Sequence, residues 1–261
     1  MKIYILADME GISGIRTWPQ VQSASPEYEE GRKLMMWDIN AAIDGAFSGG
    51  ATEVVVTDTH AGGGQVRIAE MDPRAIYELP IWPGNLMPSL DKSFDGVILI
   101  GHHAKAGTIN GFLDHTMNSG EWFEFRINGK VVGEIGIEAT YAGHFDVPVI
   151  MVSGDGTTGI EAKATLGKVE TAVVKWGVCR NKAKCLSLEK AHDIIRKTAK
   201  RAVSNAKSFS PFKPKLPITA ELTFYRSDMA DGYAARMGVE RVDARTIRCK
   251  LDSRGDIIRW L

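Results

Sequence analysis

The chain has 261 residues, 44% of them hydrophobic and 25% charged, enough to bury a sizeable core in one large domain or in a main domain with a smaller companion. Lysine plus arginine equals aspartate plus glutamate at 32 each, and no basic run or basic stripe interleaved with aromatics occurs. That balance excludes the electrostatic footprint of a nucleic-acid binder or of a protein held on an anionic membrane. No apolar run approaches the roughly 20 residues that span a bilayer. The chain enters a strand at once, without a charged region, apolar stretch and cleavage site in series, so a cytoplasmic protein is expected. Cys179, Cys185 and Cys249 form no C-x-x-C pair; reduced thiols are expected, with a Cys179–Cys185 bridge as the alternative.

Lys2 to Ala7 is a short, β-branched apolar run and reads as a buried strand. Directly beyond it stand Asp8 and Glu10, then Gly11 and Gly14. Two carboxylates so close repel each other unless a cation or a shared proton relieves them; the alternative is that Asp8 caps a helix and Glu10 faces solvent. Ser25-Pro26-Glu27 signals a helix start, running to about Phe47 with Leu34, Trp37, Ile39, Ala42, Ile43 and Ala46 on its apolar face. Glu53 to Thr57 is a second strand, which makes a β-α-β unit and a parallel pair. Asp58-Thr59-His60 follows it, then a loop of three glycines, Gly62 to Gly64, without the Gly-Lys-Ser/Thr of a phosphate-binding loop.

Asp72 to Ser89, punctuated by Pro73, Pro80, Pro83 and Pro88, reads as irregular, with a short strand at Ala75 to Leu79. Gly96 to Ile100 is the third clear strand, and Gly101-His102-His103 follows. His115 lies in a polar loop. Trp122 to Ile127 and Lys130 to Val132 form a hairpin at Asn128-Gly129, and Glu134 opens a helix to His144. A strand at Val147 to Val152, a helix from Asp155 to about Leu166 and a strand at Val169 to Val174, the last of the main sheet, come next. A long helix from Ser187 to about Lys207 precedes a proline-punctuated boundary, Ser208 to Pro217. Beyond it are a strand at Ile218 to Tyr225, a helix near Asp228 to Met237, and strands near Val239 to Val242 and Thr246 to Leu251. The expected fold is a three-layer α/β/α domain over a mostly parallel sheet, residues 1–208, with a small carboxy-terminal α+β domain, residues 209–261.

Three apolar strands are thus each followed by metal-competent side chains: Asp8 and Glu10, Asp58 and His60, His102 and His103. In an open α/β sheet the strand ends share one edge, where ligands bind. Carboxylates with imidazoles suit zinc, manganese or related dications, and the lack of a cysteine disfavours a structural zinc. With Glu134 there are ligands enough for two ions. The main rival is Gly154-Asp155-Gly156-Thr157-Thr158-Gly159, which fits a dinucleotide fingerprint between strand and helix. It falls late in the chain, and the next strand ends in Val174-Lys175-Trp176 with no acid for a ribose hydroxyl, so a turn at the rim of the site is expected instead. A second rival is a metal or peptide carrier without catalysis. His144 and His192 are expected to be structural, Met35 and Met36 to be core, and the apolar end at Trp260 and Leu261 to serve oligomer contacts.

The segments IYILADMEGISG, VVVTDTHAG, LIGHHAKAG, LDHTM and VVGEIGIEATYAGHFDVPVIMVSGD resemble, in order, the zinc-dependent D-aminopeptidase family once described as dipeptide-transport proteins. The resemblance covers the first two-thirds of the chain and CLSLEKA near Cys185, and is weak beyond Ser208. It implies a peptidase that removes N-terminal D-amino acids from short peptides or amides with two zinc ions. Asp8, Glu10, His60, His103 and Glu134 would be the ligands, Asp8 bridging, with His102 at a variable position. His115 would be the catalytic histidine, and Asp58 would support a ligand histidine from behind. It also implies a homo-oligomer, a decameric ring with an enclosed channel. Asp114 departs from the small hydroxyl residue expected before His115, and would place an anion beside that ring.

Overall fold

The structure, a computed structural model, describes residues 1–81 and 84–260, with side chains as far as Ile258. Pro83 and the apolar end at Trp260 and Leu261 therefore lie outside the described side chains. Strand β1 (Lys2–Ala7) leads through helix α1 (Tyr28–Ser48) to β2 (Glu53–Asp58) and the short β3 (Ile76–Tyr77). Then come β4 (Gly96–His102), the hairpin β5 (Trp122–Ile127) and β6 (Lys130–Val132), and α2 (Glu134–His144). β7 (Val149–Asp155), α3 (Gly156–Leu166), β8 (Glu170–Cys179), β9 (Lys182–Cys185) and α4 (Leu188–Ser204) follow. The chain closes with β10 (Ile218–Phe224), α5 (Ser227–Ala234), β11 (Glu240–Arg241) and β12 (Thr246–Leu251).

The main sheet has seven strands in the order β3-β2-β1-β4-β7-β8-β9, parallel except for the β8–β9 pair. β1, β4 and β7 are continuous apolar runs buried on both faces, as a parallel sheet between helical layers requires. One face packs α1 and α4 over Ile3, Ile5, Val54, Val56 and Ile98; the other buries Tyr4, Leu6, Val97 and Leu99 under α2, α3 and a second sheet.

That second sheet is antiparallel, order β11-β12-β10-β5-β6, and it takes strands from both sides of position 208. β10 pairs Ala220 with Ile127 and Leu222 with Phe125, so the hairpin is the scaffold on which the carboxy-terminal strands assemble. The hairpin turn has Asn128 at φ 51° and Gly129 at φ 79°, the mirror-image turn that asparagine and glycine tolerate.

Some boundaries differ from expectation. α1 starts at Tyr28 rather than Pro26, because Ser25 closes a separate turn in which its hydroxyl accepts from Glu27 N–H. Trp37 leaves the apolar face and is 46% exposed, with its edge against His192. β8 runs on to Cys179 and turns back into β9, an antiparallel edge strand (KAKC) whose alternation of charge concealed it. In that ladder Cys185 pairs with Lys175 and Cys179 with Lys182, and all three cysteines are thiols. Among the described residues no helix is long and apolar enough to cross a membrane.

Candidate metal centre

The carboxyl ends of β1, β2 and β4 are neighbours in the sheet, and two glycines let β1 and β4 close on each other. Asp8 N–H donates to Ile100 O at 2.8 Å and Gly11 N–H to Gly101 O at 2.7 Å. A Cβ on Gly11 would strike the His102 carbonyl, and one on Gly101, which sits at φ +73°, would strike the Asp8 carbonyl. The glycine of Asp-Met-Glu-Gly and that of Gly-His-His are therefore needed because the two segments touch through their backbones.

This contact brings the side chains together. His60 Nδ1 lies 3.1 Å from Asp8 Oδ1 and 3.2 Å from Glu10 Oε2. His103 Nε2 lies 3.3 Å from Asp8 Oδ2 and 3.3 Å from Glu134 Oε1. Asp8 thus faces one histidine with each carboxylate oxygen. Glu134 arrives from the first turn of α2, directly after the β5–β6 hairpin, and its Oε1 also accepts from Met117 N–H. His115 stacks on His103 with centroids 3.9 Å apart and planes 11° from parallel, and its Nε2 is 3.8 Å from Glu134 Oε1. The loop that presents it carries Asn110, Leu113 and Met117 in the left-handed region, at φ 60°, 51° and 56°, each costing about 1 kcal/mol or more.

Each histidine is anchored through its far nitrogen. His60 Nε2 meets Val21 O at 2.7 Å, His103 Nδ1 meets Ala104 O at 3.0 Å, and His115 Nδ1 meets Leu113 O at 2.9 Å. A carbonyl only accepts, so those nitrogens carry a proton, and the other nitrogen of each ring faces the carboxylates. Such anchoring is how proteins orient imidazole ligands.

Burial works against ionising Asp8 and Glu134, but the neighbouring His103, with His60 for Asp8, outweighs it and holds both carboxyls below the usual carboxylate range. Burial likewise opposes charge on His60 and His103, and the surrounding carboxylates override it and raise both well above the usual imidazole range. Asp8 Oδ2 and His103 Nε2 are nonetheless buried atoms without a hydrogen bond of good geometry. Two groupings, Asp8 with Glu10 and His103, and His103 with His115 and Glu134, each converge within 4.8 Å as a metal ion needs. Oxygen and imidazole donors with unsatisfied atoms at their centre fit zinc. A cavity of about 700 Å³ opens over them, walled by Trp18, Val21, Met117, Trp122 and Tyr233.

A family model described as D-aminopeptidase matches residues 1–261. The chain belongs to the D-aminopeptidase family. It is 37% identical over 276 residues to the D-aminopeptidase of Bacillus subtilis (strain 168), covering 95% of this chain and all of that one. It also superposes on the structure of the Zn-dependent D-aminopeptidase DppA from Bacillus subtilis, a self-compartmentalizing protease. There the TM-score is 0.95 at 32% identity, over 100% of this chain and 95% of the other.

Around the centre of this D-aminopeptidase family member, Asp58 and Asp114 take different places from those expected. Asp58 touches no histidine: it accepts from Gly64, Gln65 and Val66 N–H at 3.3 Å and from the Tyr77 hydroxyl at 2.7 Å, pinning the glycine loop after His60. Asp114 is turned into its own loop, accepting from Gly107 and Thr108 N–H and facing Arg180 Nε at 3.5 Å, rather than toward the His115 ring. Asp155 fills the α3 amino terminus itself, taking Thr158 N–H and both threonine hydroxyls, with Phe112 N–H on its other oxygen. A carboxylate thus occupies the place a dinucleotide phosphate would need, and the Gly154–Gly159 motif is a capped turn. His144 meets Ser253 at the end of α2, and His192 joins Asp38 and Ser13 between α4 and α1. Met35 and Met36 are fully buried core.

Two buried groups beside the centre have surroundings that the sequence did not show. His102 Nε2 pairs with Glu138 at 2.7 Å; burial opposes its charge, but that partner raises it to about 9. Lys175 is wholly buried beneath the Glu10 segment, and burial pushes its ammonium down to about 8. In sequence it is one lysine at a strand end, indistinguishable from a solvated one.

Proposed function

We propose that the chain is an aminopeptidase that removes N-terminal D-amino acids from short peptides or amides, with two zinc ions per chain. The carrying observation is the split around Asp8: one oxygen faces His60, which also meets Glu10, and the other faces His103, which also meets Glu134. Asp8 would bridge, His60 and Glu10 would hold one ion, and His103 and Glu134 the other. Zinc bound there supplies Lewis-acid polarisation of the scissile carbonyl and lowers the pKa of water toward neutrality.

His115 does the proton work. Its Nδ1–H is spent on Leu113 O, so Nε2 is the basic atom, and it points to the side of the cavity where Glu134 sits. There it takes a proton from the attacking water and returns it to the leaving amine. His103 on one face and the edge of Trp18, 6.2 Å away, hold the ring in place. Trp18, Val21, Met117, Trp122 and Tyr233 exclude water and enclose the substrate's first residue. Homo-oligomerisation, with the decameric ring the resemblance implies, belongs to the same reading; the self-compartmentalizing character of DppA supports it.

Hydrolysis of D- and L-aminoacyl nitroanilides, run beside elemental analysis, tests the proposal. D-selective release by protein carrying two zinc ions is expected. L-selective release, or release unaffected by stripping the metal, would overturn it.

A further inference from the structure

Past Asp8 the chain leaves the sheet, and its carbonyls lose their ladder partners. Among the described residues no backbone N–H reaches the oxygens of Glu10 or Ile15. One side chain reaches both: Lys175 Nζ donates to Glu10 O at 2.8 Å and to Ile15 O at 2.8 Å, where the Cys185 thiol adds a longer contact at 3.8 Å. Its remaining direction meets the face of Phe112, 4.8 Å from the ring centroid. Phe112 belongs to the loop that presents His115, and its N–H is held by Asp155, which lies opposite Lys175 in the β7–β8 register. Lys175 is 0% exposed, and no carboxylate lies within ion-pairing distance of it among the described residues.

A buried cation without an ion-pair partner is costly, whereas methionine would fill the same space at little cost. Filling space is thus not what the position requires. It requires an ammonium that gathers two carbonyls of one turn. Resting on the zinc reading above, we propose that Lys175 is a positioning residue of the metal centre: it fixes the backbone from Glu10 to Ile15 so that the Asp8 and Glu10 carboxylates converge, and ties that turn to the His115 loop through Phe112. Its charge, directly behind Glu10, also offsets the repulsion among the three carboxylates of the site.

The test compares wild type with Lys175→Met, and with Lys175→Gln, which keeps one donor. Zinc affinity is read by competition with a chromophoric chelator, and the melting temperature is read on metal-free protein. Lys175→Met is expected to bind zinc 10- to 100-fold more weakly, the usual loss for a group that orients ligands, and Lys175→Gln to fall between. At saturating zinc, kcat is expected to drop about tenfold or more while KM stays within about threefold. Val174→Ala, which trims the buried neighbour in β8, is expected to lower the melting temperature and leave zinc affinity unchanged. Zinc binding by Lys175→Met within about twofold of wild type would overturn the proposal alone. So would failure of both Lys175 variants to fold, which would assign the lysine to stability. A wild-type chain that binds no zinc would overturn the zinc reading and this proposal with it.

Discussion

His103 and His115 lie face to face, 3.9 Å apart and 11° from parallel, yet their roles separate at the backbone. His103 directly follows β4, beside Asp8. His115 hangs from a loop whose left-handed residues at 113 and 117 flank it. Removing the imidazole of His115 should therefore disturb chemistry more than metal binding. His115→Ala is expected to lose about 10²- to 10⁴-fold in kcat while elemental analysis still finds the wild-type zinc content. Full turnover with both ions bound would remove His115 from the mechanism.

Glu134 couples His103 to the loop that carries His115, because the oxygen nearest His103 also accepts from Met117 N–H. Glu134→Gln can keep that hydrogen bond through its amide oxygen and loses only the charge. Its zinc content is expected to fall from two ions toward one, with kcat reduced at least about 100-fold, a loss comparable to removing one charge-stabilising group. Zinc titration followed by a chelating dye checks both.

The glycine contact between β1 and β4 makes a stability prediction. Gly11→Ala drives a methyl into the His102 carbonyl, and Gly101→Ala adds a left-handed alanine to a similar collision. Each is expected to cost more than about 2 kcal/mol in urea unfolding and to weaken zinc binding. Gly84→Ala, which meets no atom of the described residues within 4 Å although its φ is also positive, should cost less.

Position 208 is a boundary in composition but not in hydrogen bonding. Ending the chain there strips β10 from β5 and exposes Trp122, Phe125 and Ile127 along an unpaired edge. It also removes Tyr233 from the cavity wall. The truncated protein is expected to aggregate on expression, as a soluble-fraction assay would show.

Much of this was legible in the sequence, and the reasons are specific. β1, β2 and β4 are apolar runs ending in acids and histidines, so the strand-end edge could be read directly; the Asn128-Gly129 turn marked the hairpin, and Glu134 as a ligand came through the family resemblance. Three-dimensional partners were not legible. β9 alternates lysines with small residues and resembles a loop, and the hairpin's pairing with β10 joins residues some ninety positions apart. Asp58 looked like support for a histidine because it stands two residues before His60; only the fold shows it turned to the glycine loop. Gly154–Gly159 matched a dinucleotide fingerprint but was expected to be a turn, and the cap that Asp155 places on its own helix is what makes it one.

Anomalous diffraction at the zinc edge, from crystals of the zinc-loaded chain, tests the central claim most directly. Two peaks about 3.5–4 Å apart are expected, with Asp8 between them, one against His60 and Glu10 and the other against His103 and Glu134. A single peak, or peaks away from Asp8, would contradict the dinuclear centre on which the proposed peptidase chemistry rests.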